Sequence, residues 1–204
     1  MKTVIFDFDG VLADSFKPLY TLIKKAMLEV GISLTEDQYR SFFNGNVHEN
    51  FKVFINNPKA YDRFAIFRKL NYLTYYSRVK LFMEANTLIR NLKRQNNLAI
   101  ASAGNRDAIT DLLTKDNLSR FFDVIVATNL QSKFEILDFI VSTTPNHIKA
   151  MVTDTSGDII AAKSLGLKTI AVTWGFQQLD DLQRSNPDYI VDSFQKLEKV
   201  LLNP

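Results

Sequence analysis

The sequence predicts an α/β fold, in which a parallel sheet carries helices on both faces and a small all-helical segment is inserted after the first strand. Three observations support this prediction. A short and uniformly apolar strand opens the chain, residues 15–83 have a helical pattern, and strands then alternate with helices up to the C-terminus. Such alternation is typical of βαβ units and of a parallel, Rossmann-like sheet.

The composition is that of an ordinary globular protein. The chain has 204 residues, of which 46% are hydrophobic and 23% charged, so one substantial core is expected. It has no cysteine, which excludes disulfides, zinc–thiolate sites and cysteine nucleophiles. No apolar stretch approaches the roughly 18 residues of a membrane span, and Asp7 and Asp9 interrupt the apolar N-terminal run too early for a signal peptide. We therefore expect a cytoplasmic protein without membrane contacts.

The net charge is +3, and the basic residues are concentrated in the predicted helical segment. Such an excess most often marks a solvated helical surface. The alternative is a positive field that attracts an anionic substrate. A nucleic-acid groove is disfavoured, because no nucleic-acid-binding motif accompanies the charge.

The first strand is predicted at residues 3–6, and its apolar character on both faces indicates burial. In the helical segment, Pro18 can occupy a first helical turn and Gly31 can end that helix. Thr35 and Gln38 have the spacing of a capping box. A further helix, rich in aromatic residues, is predicted from residue 60 to about residue 83.

The rest of the chain alternates between the two element types. Periodicity predicts strands at residues 98–101, 123–127, 149–153, 168–173 and 189–191, and helices at residues 106–115, 133–142, 158–165 and 194–202. In parallel sheets, ligands bind at the carboxyl ends of the strands. The residues that follow each strand are therefore the candidates for function.

Polar side chains follow four of these strands. They are Asp7 and Asp9 after the first strand, Ser102 after the second, Lys133 at the start of the helix after the third, and Asp154 with Asp158 after the fourth. Packing alone gives no reason for so many polar groups at strand ends. The sequence therefore predicts that they converge on one crevice.

The residue types fit the hydrolysis of a phosphate ester. Asp7 and Asp154 offer the hard oxygen ligands that Mg²⁺ prefers. Asp7 is also the candidate nucleophile, and Asp9, brought over the site by a turn at Gly10, is the candidate acid and base. Ser102 and Lys133 would neutralise the phosphoryl oxygens.

Four segments resemble, in order, the motifs of the haloacid dehalogenase (HAD) superfamily, in its phosphatase branch. They are residues 7–15 (DFDGVLADS), residues 99–105 (AIASAGN), Lys133, and residues 152–158 (VTDTSGD), while residues 171–176 and 187–193 are similar to the tail of phosphoglycolate phosphatases. The resemblance implies a core of residues 1–15 and 83–204 with a helical cap of residues 16–82.

The resemblance also implies roles for individual residues. It implies phosphate contacts at Gly10, Ser102, Ala103 and Lys133, and a Mg²⁺ site formed by Asp7, Asp9, Asp154 and Asp158, to which Asp9 contributes its backbone carbonyl. Two positions depart from the family pattern. Thr153 stands where glycine usually precedes the fourth-motif aspartate, and Phe134 stands where proline often follows the lysine.

These observations predict a Mg²⁺-dependent phosphatase that acts through an aspartyl phosphate on a small anionic metabolite, phosphoglycolate-like or a sugar phosphate, and that is a monomer or a homodimer. A phosphomutase would use the same chemistry, and a receiver-type signalling module or a non-catalytic binding protein also remains open. Dehalogenation is disfavoured, because it needs neither Asp9 nor a metal. His48 and His147 are interpreted as ordinary surface or loop residues, and Trp174 as packing near the site.

Overall fold

A six-stranded parallel sheet forms the centre of the computed structural model, which describes residues 1–202. Its strand order is β5-β4-β1-β6-β7-β8, and a separate antiparallel pair is formed by β2 and β3. The strands are β1 (Lys2–Phe6), β2 (Ala13–Asp14), β3 (Lys80–Leu81), β4 (Asn96–Ser102), β5 (Val124–Ala127), β6 (Ile148–Thr153), β7 (Thr169–Val172) and β8 (Tyr189–Val191).

Helices cover both faces of the sheet and form the inserted segment. They are α1 (Phe16–Leu28), α2 (Glu36–Ser41), α3 (Val47–Ile55), α4 (Pro58–Tyr76), α5 (Met83–Lys93), α6 (Arg106–Lys115), α7 (Lys133–Thr143), α8 (Ser156–Ser164), α9 (Leu179–Arg184) and α10 (Phe194–Leu202). The predicted α/β class with a parallel sheet is confirmed. None of the helices within residues 1–202 is both long and apolar enough to traverse a bilayer.

Alternate residues of each central strand are buried on opposite faces of the sheet, as the period of two requires. On one face, Val4, Phe6 and Ile100 pack with residues of α5, α6 and α10. On the other face, Ile5 and Met151 pack with residues of α7 and α8. β1 is therefore covered on both sides and lies between β4 and β6, which fixes where its carboxyl end lies.

The helical segment between β2 and β3 has an apolar cluster of its own, and local signals set its helix ends. The predicted capping box is present, with Thr35 and Gln38 each bonded to the backbone of the other. Asn57 caps α4, whose first residue is Pro58. One core residue enters this cluster: Phe176, after β7, packs edge-on against the ring of Phe43 with centroids 4.9 Å apart.

Three details of the secondary-structure prediction were wrong. The segment from residue 15 to residue 83 is not helical throughout, because α4 ends at Tyr76 and β3 then pairs with β2. Helices α5 and α9 were not predicted. The helix after β6 begins at Ser156, two residues earlier than expected.

Candidate active site

The carboxyl ends of β4, β1 and β6 bring the predicted polar residues together. Ser102 is the last residue of β4, Asp7 follows β1 directly, and Asp154 follows β6 directly. These three strands are neighbours in the sheet, so their ends lie side by side. Lys133 reaches the same edge from the first turn of α7.

Asp7 lies at the centre of this group and is only 8% exposed. Its Oδ1 accepts a hydrogen bond from the backbone amide of Phe8 at 2.8 Å and forms an ion pair with Nζ of Lys133 at 2.9 Å. The same Nζ lies 2.8 Å from Oδ2 of Asp158 and donates to the carbonyl of Ala101 at 2.8 Å. The ammonium group is thus held between two carboxylates.

Burial dominates the ionisation of these groups. It raises the pKa of Asp7 to about 7, against the opposing charge of Lys133 and with a further increase from Asp158. Burial by itself would lower the pKa of Lys133, but the charges of Asp158 and Asp7 outweigh it and hold that pKa above its ordinary value. Lys133 is therefore charged, while Asp7 needs more positive charge nearby to be fully ionised at neutral pH.

Asp9 lies over the site because the chain turns sharply at Gly10, which has a positive φ of 79°. Its Oδ1 accepts a hydrogen bond from the Tyr76 hydroxyl at 3.2 Å. Burial raises the pKa of Asp9, although the hydroxyls of Ser15 and Tyr76 oppose this effect. A raised pKa favours the protonated form of a carboxyl group, which is the form that a general acid needs.

Ser102 and Asp9 approach the same point from two sides. A Cβ added to Gly104 would lie 3.1 Å from Oδ2 of Asp9 and 3.1 Å from Oγ of Ser102. The Ser102 hydroxyl accepts a hydrogen bond from the Gly104 amide at 3.0 Å. Ala103, also predicted to contact phosphate, is exposed in this turn between β4 and α6.

Asp154 is completely buried, and its two oxygen atoms differ. Oδ2 accepts a hydrogen bond from the Phe176 amide at 2.6 Å, whereas Oδ1 has no hydrogen-bond partner within residues 1–202. Gly10 and Gly175 pack so closely on this carboxyl group that a Cβ at either position would collide with it. Burial, and then the charge of Asp7, raise the pKa of Asp154 well above its ordinary value.

This arrangement fits a bound divalent cation. The Lys133 ammonium group pairs with only two of the four buried or half-buried carboxyl groups, and Oδ1 of Asp154 has no hydrogen-bond partner within residues 1–202. In the part of the chain that the structure describes, no three His, Cys, Asp or Glu side chains are grouped to hold a metal ion. A site based on Asp7 and Asp154 would need further oxygen atoms from backbone or water, as is usual for Mg²⁺.

Comparison with known proteins identifies the family. The sequence model for haloacid dehalogenase-like hydrolases matches residues 4–172. The chain belongs to this family. The resemblance inferred from the motifs is thus confirmed, and so is the prediction of a hydrolase.

Several curated relatives match this chain over nearly its whole length. Pyrophosphatase PpaX of Bacillus mycoides is 26% identical, over 98% of this chain and 97% of the relative. Phosphoglycolate phosphatase of Aquifex aeolicus is 26% identical, over 100% of this chain and 98% of the relative. Among solved structures, that of a predicted phosphatase from Clostridium acetobutylicum has a TM-score of 0.87 at 22% identity and covers 100% of this chain and 99% of its own, which shows the shared fold.

Two residues of this HAD-like hydrolase were not predicted to take part in the site. Tyr76 contacts Asp9 although it lies far from the motifs in sequence. Thr153, the departure from the family pattern, donates its hydroxyl to Oδ2 of Asp158 at 3.2 Å. That position offered a signal, because a hydroxyl two residues after the buried Met151 of β6 lies on the same face of the strand, which α8 covers.

Contacts between the helical segment and the core were also not predicted. Gln177 donates to Oδ1 of Asn44 at 2.6 Å, and its own oxygen accepts from the Ser156 amide. Arg40 donates to the carbonyl of Phe176. These contacts hold the segment over the carboxyl edge of the sheet, directly beside Asp154.

Trp174 packs near the site, because its Nε1 donates to the carbonyl of Val11, the residue after Gly10, at 3.2 Å. His147 is exposed, and Trp174 stacks on the ring of Phe194 with centroids 4.6 Å apart. His48 is half-buried in the helical segment, where its Nδ1 lies 3.3 Å from Nη1 of Arg68.

Proposed function

We propose that this protein is a Mg²⁺-dependent phosphatase that hydrolyses a small phosphorylated metabolite through an aspartyl-phosphate intermediate. The main support is the position of Asp7, a buried carboxylate at the end of β1. Its Oδ1 lies 2.9 Å from Nζ of Lys133. Asp9 lies two residues further on, with a raised pKa and a turn that brings it over the same edge. A nucleophile, an acid and a phosphate-neutralising cation are thus close together.

The first half of the proposed reaction transfers the phosphoryl group to the protein. A carboxylate oxygen of Asp7 attacks phosphorus, and the bond from phosphorus to the ester oxygen breaks. Asp9 gives its proton to the departing oxygen, which leaves as an alcohol. Lys133 and the Ser102 hydroxyl stabilise the charge on the phosphoryl oxygens during this step.

The second half regenerates the enzyme. The carboxylate of Asp9 takes a proton from a water molecule, and that water attacks the phosphorus of the acyl phosphate. The bond between phosphorus and the Asp7 oxygen breaks, so that inorganic phosphate leaves and both aspartates return to their starting states. This is the usual exchange of acid and base roles between two half-reactions.

We assign the metal to the carboxylates of Asp7 and Asp154 and the backbone carbonyl of Asp9. The unpaired Oδ1 of Asp154 supports this assignment, whereas the Asp158 side chain is engaged by Lys133 and Thr153 and would act by orienting the lysine. When bound, Mg²⁺ supplies positive charge that offsets the carboxylates and the phosphoryl oxygens.

We further propose that residues 16–82 form a cap over residues 1–15 and 83–204. The separate apolar cluster of the helical segment and its contacts through Arg40, Asn44 and Gln177 support this division. Such a cap would exclude water other than the attacking molecule. The cytoplasmic location stays a prediction.

The substrate proposal follows the names of the relatives, which are a pyrophosphatase and phosphoglycolate phosphatases. We propose a small phosphorylated metabolite of this size, such as phosphoglycolate, rather than a phosphoprotein or nucleic acid. The enclosed position of Asp7 under the helical segment favours a small molecule.

The test is phosphate release from a panel of phosphorylated metabolites, with and without Mg²⁺, by the wild type, Asp7→Asn and Asp9→Asn. We expect metal-dependent release that both substitutions abolish. Release that survives Asp7→Asn would contradict the proposal. Isomerised sugar phosphates in place of free phosphate would indicate a mutase, and a stable phosphoprotein without turnover would indicate a signalling module.

A further inference from the structure

Phe176 connects the helical segment to the buried carboxyl group of Asp154. It lies in the short connection between β7 and α9, outside any helix or strand. Its backbone amide donates to Oδ2 of Asp154 at 2.6 Å. Its side chain is only 3% exposed and packs in the apolar cluster of the helical segment. One residue therefore touches a proposed metal ligand with its backbone and the inserted helices with its ring.

The ring of Phe176 packs edge-on against two aromatic rings of the helical segment. The centroid of Phe43 lies 4.9 Å away at an interplanar angle of 85°, and that of Phe16 lies 5.3 Å away at 86°. The ring of Tyr39 lies 6.2 Å away. From the core, Gly10 approaches so closely that a Cβ there would lie 2.7 Å from Cδ1 of Phe176. Edge-to-face pairs contribute more than their buried area alone, so these contacts fix the ring.

The carbonyl group of Phe176 is also bound by the helical segment. It accepts a hydrogen bond from Nη1 of Arg40, a residue of α2. The guanidinium of Arg40 in turn lies 3.8 Å from the centre of the Phe16 ring. A charged donor makes a stronger hydrogen bond than a neutral one. The ring and the carbonyl of Phe176 are thus both held by inserted helices, and its amide is held with them.

This amide orients the carboxyl group of Asp154. It donates to Oδ2, whereas Oδ1 is buried and has no hydrogen-bond partner within residues 1–202. Groups that orient a metal ligand typically change metal affinity about 10- to 100-fold when they are lost. A displaced Phe176 amide would therefore weaken metal binding without any change in the ligands themselves.

We propose that Phe176 is a positioning residue through which contact between the helical segment and the core strengthens Mg²⁺ binding. This inference rests on the proposed function, because that function assigns the metal to Asp154. Contacts with Phe43 and Arg40 keep the Phe176 amide on Oδ2, so the carboxyl group is already oriented before the metal arrives. Since linkage is reciprocal, bound Mg²⁺ stabilises the contact between the helical segment and the core to the same extent.

The test measures Mg²⁺ affinity directly, by isothermal titration calorimetry, in variants of the ring contacts. Phe43→Leu removes one edge-on ring and should weaken Mg²⁺ binding about 2- to 10-fold, the factor that corresponds to one aromatic pair. Phe176→Leu keeps the amide but loses the ring contacts, so we expect a loss of about 10- to 100-fold. Phe43→Tyr keeps the ring and should retain most of the wild-type affinity.

Phe54→Leu is the matched control. Phe54 is also half-buried in the apolar cluster of the helical segment, but its edge-on contact is with Phe42, at 5.1 Å. The control should lower Tm to a similar extent as Phe43→Leu while leaving Mg²⁺ affinity unchanged. This comparison separates the link through Phe176 from a general loss of stability in the helical segment.

Hydrogen exchange provides a second readout that does not depend on activity. Mg²⁺ should slow amide exchange in residues 36–44 of the wild type, and this effect should be smaller in Phe43→Leu. Equal Mg²⁺ affinity in the wild type and Phe43→Leu, or an equal loss in Phe54→Leu, would overturn the inference. Phosphate release that needs Asp7 and Mg²⁺ would then leave the proposed function intact, whereas a wild type that binds no Mg²⁺ would remove both the metal assignment and this inference.

Discussion

The substitution Lys133→Met tests whether one ammonium group holds the acidic cluster together. Methionine keeps most of the side-chain volume but removes a charge that contacts both Asp7 and Asp158 within 2.9 Å. Removing one partner of a buried ion pair costs about 3–5 kcal/mol, because the remaining charge stays buried. For a chain of this length, each kcal/mol lowers Tm by about 2–4 °C, so we expect a decrease of about 6–20 °C.

Thermal unfolding in EDTA is the appropriate assay, since bound metal would supply part of the missing charge. Lys93→Met is the matched control. Lys93 also forms an ion pair, with Asp123 at 2.5 Å, but both side chains are partly exposed. Exposed pairs contribute about 0–1 kcal/mol, so the control should change Tm by only a few degrees. Equal decreases in the two variants would refute the reasoning.

The effect of Lys133→Met should also depend on pH. The pKa of Asp7 in the folded protein is about 7, above its ordinary value of 3.8. Ionisation of Asp7 therefore lowers the free energy of unfolding, and this loss grows as the pH rises from 3.8 to about 7. Without the ammonium group the pKa of Asp7 is higher still, so the loss continues to grow above pH 7. At pH 5 the carboxyl group is already neutral, so the difference between the variant and the wild type should be smaller than at pH 8.

Three further changes have expected outcomes. Tyr76→Phe removes the hydroxyl that donates a hydrogen bond to Asp9. Since such a bond contributes about 1 kcal/mol, we expect kcat to fall about fivefold while the affinity for Mg²⁺ stays the same. An unchanged kcat would contradict this expectation. Gly175→Ala places a methyl group against the carboxyl group of Asp154. We expect this variant to bind Mg²⁺ about 10- to 100-fold more weakly, measured as phosphate release at increasing Mg²⁺ concentration. Unchanged affinity would speak against the assignment of Asp154 as a metal ligand. Asp188 accepts two hydrogen bonds from Thr169 at the start of β7, and these outweigh burial and lower the pKa of Asp188. The wild type should therefore be more stable than Asp188→Asn above pH 4, and this advantage should disappear as the pH falls through the lowered pKa. A difference in stability that does not depend on pH would refute this prediction.

The alternating part of the fold was predictable because local and tertiary signals agree there. Helix α6 has the predicted bounds, since Asn105 caps its start and Asn117 leaves the helix in a left-handed conformation. Helix α5 was missed although its buried residues Ala85, Leu88, Ile89 and Leu92 follow helical spacing. Strands β2 and β3 have only two residues each, too few for any periodicity.

The residues at strand ends were predictable because topology alone brings them to one edge. The orientation of α4 could not be predicted, because its aromatic residues occur on several sides of the helix and only packing decides which side faces the core. The contact of Tyr76 with Asp9 therefore could not be predicted from the sequence. Gln177 was equally hidden, because its hydrogen bond to Asn44 joins segments 133 residues apart in sequence.

The short pairing of β2 with β3 has a consequence for how such proteins diversify. The chain leaves the sheet domain at Asp14 and returns at Lys80, and these two residues are direct neighbours across the pair, about 5 Å apart. A tight turn, or an unrelated set of helices, would join the same two points without displacing β1. Recombination can therefore exchange the inserted helices, which we propose as the cap, while Asp7 and Asp154 at the strand ends keep their inherited positions.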